Sequence, residues 1–340
     1  RTAPPMPAPA TLSTPAAADG TSAQPTRVAI LGGTGFVGRA LCETLARLRP
    51  ELQVVVPTRR LAHAKALRHL PTVQVLQADV HQAHELQRVL QGCDAVVNLV
   101  AILHGRASDF QKVHVELPRS LAAACTQAGV HRVIHVSALG VGEQAPSMYL
   151  KSKTEGEAVL RGAGLHLTVL RPSVIFGAED RFMNTFAALQ ALAPFMPLAG
   201  AQARFQPVWV EDVAAALAHG LQEPSTIGQT VECTGPEVFT LAELVQLAGR
   251  TSGHPRAVLP LPNWAGMLQA MVMEWLPGQP LMSRDNMASM KVANVATGLV
   301  PALQSWGIHP SSLKAIAPTY LAAGQGCARM DPWRSRAGRR

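Results

Sequence analysis

Short apolar or β-branched runs at 28–31, 53–56, 73–76, 95–100, 133–136 and 168–170 are separated by segments whose apolar residues recur at helical spacing, among them LCETLARL, LQRVLQG and LAAACTQAG. Runs of this length bounded by turns predict strands buried on both faces, and the amphipathic segments between them predict crossover helices. Repeated βα units in turn predict an α/β fold, a doubly wound parallel sheet with helices on both sides. After Gly177 the rhythm lapses into a Pro- and Met-rich region with helices and one more strand, at 229–233. We therefore expect a main α/β domain over 27–178, to which 205–235 return, and a small, mostly helical C-terminal substrate lobe formed by 179–204 and 236–320.

The first unit, RVAILGGTGFVGRALCETLARL at 27–48, runs from strand through a glycine turn directly into a helix. Gly32, Gly35 and Gly38 stand at G-x-x-G-x-x-G spacing, which permits a tight turn, a close approach of backbone to pyrophosphate, and tight packing of helix on strand. The helix start, with Thr34, Phe36 and Val37, offers unpaired N–H groups and a positive dipole end to phosphates. Together these features predict a Rossmann-type dinucleotide site. At the end of the second strand, VVVPTRR, an Asp or Glu would bind the ribose hydroxyls of NAD, whereas arginine would meet the 2′-phosphate of NADP. Arg59 and Arg60 stand there without a carboxylate, so NADP(H) is favoured over NAD(H); the alternative is that both only open a solvated helix. Asp79, followed by Val80, lies where a carboxylate can accept from the adenine amino group or merely cap its loop. Asn98 and Ala101 lie at the end of the fourth strand, where the chain passes the cofactor.

Tyr149 and Lys153, in SMYLKSKTEGEAVL, are four residues apart and share one face of a helix. An adjacent ammonium favours a phenolate, which would let the tyrosine exchange a proton with a substrate oxygen near neutral pH. Y-x-x-x-K alone is commonly a surface helix pair. Ser137, twelve residues earlier and ending the strand VIHVS, lies on the carboxyl edge of the sheet, where ligands bind, and changes that picture.

Composition narrows the classes. Apolar residues make up 48% of the 340 and charged residues 15%, as in a globular protein. No run reaches the roughly 18 apolar residues of a membrane span. Five cysteines without C-x-x-C spacing indicate neither a disulfide framework nor zinc, and reduced buried thiols in a cytoplasmic setting are expected. The twelve histidines lack H-E-x-x-H spacing, so no metal is expected, and the absence of G-x-S-x-G argues against a hydrolase. Residues 1–26, rich in Pro, Ala, Ser and Thr, read as a disordered leader, neither secretory signal nor Arg-rich transit peptide. Residues 321–340 read as a basic disordered tail. Its five arginines against Asp331 supply half of the net charge of +8, so the basic balance is partly a tail property and no nucleic-acid partner is expected. In NWAGMLQAMVMEWLPG, one helical stripe carries Trp264, Met267, Leu268, Met271, Val272, Trp275 and Leu276, which reads as core packing. The alternative is a lipid- or partner-facing helix, against which stand Glu274 and the lack of Lys or Arg.

With GGTGFVG, Ser137, Tyr149 and Lys153 in order, and with LRPSVIFG ending in Pro172 to Gly177, the chain resembles the extended and atypical short-chain dehydrogenase/reductases, which are NAD-dependent epimerase/dehydratase-like. YLKSKTEGE, RPSVIFGAEDRF and FQPVWVEDVA resemble more narrowly the group related to alpha-subcomplex subunit nine of respiratory complex I. The resemblance implies that Ser137 orients a substrate carbonyl, that Tyr149 is the acid/base, and that Lys153 holds the nicotinamide ribose. It also implies Pro172 beside the nicotinamide, NADPH as cofactor (a structural ligand in the mitochondrial subunit), and a link to quinone biosynthesis. One position departs from the pattern: many extended members carry a relay Asn where FQKVHVELP has His114. Two functions follow as expectations. One is hydride transfer to or from a carbonyl or alcohol on an apolar or quinone-related substrate. The other is a non-catalytic NADPH-binding subunit of a respiratory or biosynthetic complex, in peripheral contact with the inner membrane.

Overall fold

The computed structural model describes residues 24–275 and 282–322; most of the leader and tail, and Leu276 of the apolar stripe, lie outside them. Seven strands form one parallel sheet: β1 (Arg27–Leu31), β2 (Gln53–Thr58), β3 (Val73–Gln77), β4 (Ala95–Asn98), β5 (Arg132–Val136), β6 (His166–Pro172) and β7 (Thr230–Cys233). Their spatial order, 3-2-1-4-5-6-7, reverses between β1 and β4, and ligands of doubly wound sheets bind at such a switch point. Both faces are covered. Val28 and Ile30 point into one core with α1 (Phe36–Leu48) and α6 (Val210–Gln222), while Ala29 and Leu31 point into the other with α2 (Ala83–Leu90), α3 (Leu117–Ala128) and α4 (Met148–Arg161). That double burial is why the strands read as continuous apolar runs instead of alternating ones.

The fourth strand stops two residues short of the run in the sequence. Asn98 Oδ1 accepts from Val100 N at 3.2 Å, which bends the chain off the ladder where it meets the glycine turn. A third core, away from the sheet, gathers Phe176, Met183, Leu241, Leu244, Val245 and Tyr320 around α5 (Met183–Leu192) and α7 (Leu241–Ser252). Buried Asp180 fastens it. One carboxylate oxygen accepts from Phe182 N and Met183 N at 2.8 and 2.7 Å, and the other from Tyr320 Oη at 3.1 Å. Besides β7, this half holds strands the hydropathy pattern missed, notably Phe195–Leu198 paired in parallel with Ala257–Pro260. They are short and proline-interrupted, so neither leaves a period-two signal.

The described side chains of the stripe on α8 (Asn263–Trp275) do not pack into a core; those of Val272 and Trp275 lie outside the described set. Trp264 is 73% exposed, and Met267, Leu268 and Met271 are 40–50% exposed. The helix instead buries its small residues: Ala270 is fully covered, and a Cβ on Gly266 would lie 2.6 Å from that of Ala199. Large apolar residues mark a core face only when the partner leaves them room, and here the close approach selected the opposite face. Among the described residues, no helix is long and apolar enough to cross a membrane.

Candidate functional site

The glycine turn follows β1 at the switch point. Gly32 has φ +84°, a left-handed conformation that favours glycine. A Cβ on Gly38 would sit 2.5 Å from Gly32 O, so this residue lets α1 start directly against the turn. Gly35 differs: it is exposed, and its Cβ would meet only Gly32 O, at 3.2 Å. No side chain caps α1, so the amides of its first turn, from Phe36 onward, have neither an intrahelical nor a side-chain acceptor. The Phe36 and Val37 side chains pack on the sheet core while half-buried Thr34 lies in the turn. An exposed glycine beside helix-terminal amides that lack an intrahelical acceptor fits a pyrophosphate.

The other expected cofactor residues lie at the same edge in different states. Arg59 and Arg60 are exposed beyond β2 and form no ion pair among the described residues, which fits an anionic 2′-phosphate. Arg60 also precedes a 3₁₀ helix, Leu61–Leu67. Asp79 uses Oδ1 to accept from His81 N at 3.1 Å, which is a loop cap, and Val80 packs on the core beneath α2. Buried Asn98 contacts His135 Nδ1 at 3.2 Å, Ala101 is exposed, and Pro172 O accepts from Leu139 N at 3.1 Å.

Ser137 follows β5, buried, and its Oγ has no partner among the described residues. Lys153 is buried on α4 and donates from Nζ to Val136 O at 2.6 Å, one residue before Ser137. Burial pushes the Lys153 ammonium down to about 8, opposed by the nearby Glu157 carboxylate. Glu157 is held below the usual carboxylate range by hydrogen bonds from Arg171 and Arg161, at 2.6 and 2.7 Å, against the cost of its burial. Its place four residues after Lys153 was a signal available in the sequence. Tyr149 corrects an expectation: its phenol is not lowered by Lys153, because burial pushes it up to about 12. Desolvation outweighs a charge that is itself turned toward a backbone carbonyl. The Tyr149 ring stands edge-on to His114 and Phe110, with centroids 5.5 and 6.3 Å away.

His114 sits in a π-helical turn, Lys112–Glu116, that leads into α3. Its Nε2 accepts from Ile102 N at 3.1 Å, so Nδ1 carries the proton and donates to Ser152 Oγ at 2.8 Å, and Ser152 in turn donates to Tyr149 O at 2.8 Å. Burial lowers the imidazole to about 3, so it stays neutral as a brace between the loop after β4 and α4. Gly156 was missed in the sequence: its Cβ would lie 1.8 Å from His114 O. Gly156→Ala should force α4 off the π turn and cost about 3 kcal/mol, as overpacking does. Thermal unfolding measures this, and an unchanged midpoint would mean that the two helices are free to part.

A seven-stranded parallel sheet with a glycine turn at its switch point has the architecture of a pyridine-nucleotide-binding protein of the short-chain dehydrogenase/reductase type. The chain belongs to the NAD(P)H-binding family, whose model matches residues 32–224. It is 31% identical to the mouse protein NADH dehydrogenase (ubiquinone) 1 alpha subcomplex subunit 9, mitochondrial, over 84% of this chain and 77% of that one. A ceramide reductase of Caulobacter vibrioides is 30% identical over 72% of this chain and 75% of that one. A nucleoside-diphosphate-sugar epimerase from Staphylococcus aureus shares the fold at TM-score 0.67 and 16% identity, covering 86% of this chain and 99% of that one. The resemblance carried by GGTGFVG, YLKSKTEGE and RPSVIFGAEDRF is thus borne out.

Proposed function

We propose that the chain binds NADP(H) and reduces a carbonyl on an apolar, quinone-related or lipid-like substrate. The observation that carries this reading is the buried, unpartnered Ser137 Oγ beside Lys153, since buried hydroxyls without partners are uncommon and cluster where ligands complete them. When bound, the nicotinamide would supply the hydride. Lys153 would hold the ribose hydroxyls, Ser137 would donate to the substrate oxygen, and the Tyr149 hydroxyl would give its proton to that oxygen. A phenol raised by burial holds its proton at neutral pH and so can donate it to a carbonyl oxygen. Names among the relatives, a ceramide reductase and a subunit of an NADH dehydrogenase (ubiquinone), support an apolar substrate. The purified protein, given NADPH with short-chain quinones or long-chain ketones, should oxidise the cofactor with one of the two classes. Oxidation with neither class overturns the catalytic reading.

The second reading is a non-catalytic NADPH-binding subunit of a respiratory or quinone-biosynthesis complex, peripheral to a membrane. The exposed apolar face of α8 and the similarity to a complex I subunit favour it.

In either reading, Arg59 and Arg60 meet the 2′-phosphate. Replacing both with alanine should weaken NADPH by about 30-fold, at roughly 2 kcal/mol for a lost charged hydrogen bond, and leave NADH nearly unchanged. Equal losses for both cofactors in a calorimetric titration would assign the arginines to the solvated helix start.

A further inference from the structure

The first turn of α4 holds Tyr149, and its opening amides have no acceptor within the helix. Leu150 N donates to Ser147 Oγ, the local cap, at 3.2 Å. The two amides before it are met from the other half of the chain: Met148 N donates to Asp285 Oδ1 at 2.7 Å, and Tyr149 N to Asp285 Oδ2 at 3.1 Å. Asp285 lies on the short helix α9 (Arg284–Ser289), whose last residue, Ser289, donates from Oγ to Ser147 Oγ at 2.8 Å. One carboxylate thus spans two consecutive amides, and a second side chain of the same helix holds the local cap.

Asp285 stands where three pieces meet. Arg284, its neighbour, pairs with Glu274 of α8 at 2.9 Å, and the His104 imidazole of the loop after β4 lies close to its carboxylate. Further along α4, Lys153 is fastened to Val136 O and Gly156 lies against His114 O. The turn with Tyr149 extends beyond those anchors. A carboxylate at a helix N-terminus interacts favourably with its free amides and dipole.

We propose that Asp285 is a positioning residue, which fastens the first turn of α4 to the C-terminal half so that Tyr149 takes its place against Ser137 and Lys153 only when α9 is seated. This rests on Tyr149 being the acid/base.

The test uses the full chain with Asp285→Ala, Asp285→Asn and Ser147→Ala, read by amide hydrogen exchange and by oxidation of NADPH with the accepted quinone or ketone. In Asp285→Ala, Met148 and Tyr149 amides should exchange about tenfold or more faster while the rest of α4 is unchanged, as in local opening. The kcat should fall about tenfold, with NADPH affinity and thermal midpoint held, since the glycine turn is untouched. Asp285→Asn keeps one acceptor oxygen and should restore Met148 protection and part of kcat. Ser147→Ala should expose Leu150 instead. Unchanged protection in Asp285→Ala, or frayed amides with wild-type kcat, overturns the proposal. Should the wild-type protein itself oxidise no NADPH, the catalytic reading and the positioning role fail together, whereas unchanged protection with a turning-over wild type sinks Asp285 alone.

Discussion

Gly35→Val is expected to abolish dinucleotide binding while leaving the chain folded. The residue has φ −78° and ψ 177°, extended backbone that valine adopts readily, and it is exposed in the turn. Its neighbours do not share this tolerance. A Cβ on Gly33 would lie 2.8 Å from the Val56 methyls, and one on Gly38 would lie 2.5 Å from the turn itself, so either change disturbs the fold before it reports on a ligand. At Gly35 a Cβ would meet only Gly32 O, at 3.2 Å, a contact that a small shift relieves, and the side chain would stand over the helix-terminal amides expected to hold pyrophosphate. We expect at least a 100-fold loss of NADPH affinity, about 3 kcal/mol, with the melting point of the ligand-free protein unchanged. Calorimetric titration alongside thermal unfolding gives both numbers. Native affinity would reduce the turn to a structural device and remove the basis of the cofactor assignment.

Tyr149→Phe divides the two functional readings. The substitution removes one hydroxyl and keeps the ring that stands against Phe110 and His114, so packing should persist. For a reductase, NADPH stays bound and its oxidation by the accepted substrate slows by about 10² or more, the usual worth of a positioned acid. In a binding subunit, phenylalanine is tolerated and Lys153→Ala is the harmful change, through lower cofactor occupancy and hence lower stability. Complementation of a deletion strain by Tyr149→Phe at normal protein level would end the catalytic reading.

What could be read in the sequence was local. The strand, turn and helix of the first unit are adjacent in the chain, and three glycines suffice to announce them. Tyr149 and Lys153 declare a shared face by their spacing, and Ser137 declares a strand end. The energetic sign of the pair was not legible, because it depends on how deeply both groups are buried, which is a property of the packed layers. Gly156 and Asp285 were invisible for a related reason: each acts on a residue that only the tertiary fold brings near. The α8 stripe misled because periodicity ranks side chains by size and hydropathy, whereas the partner surface at Ala199 required Gly266 and Ala270.

The π-helical turn at Lys112–Glu116 carries a residue more than the α-helical period allows, which advances the phase of the helix by about 100°. Phe110, before it, faces Tyr149; Leu117, Leu121 and Cys125, after it, face the sheet. A regular helical wheel would put all four on one arc, and the π turn is what sets Phe110 apart from the other three. A relative lacking one residue between Lys112 and Glu116 would align with a gap inside what looks like unbroken helix, and would keep the sheet-facing stripe while turning the position of His114 away from the site. At this point of the chain, length carries information that residue identity does not.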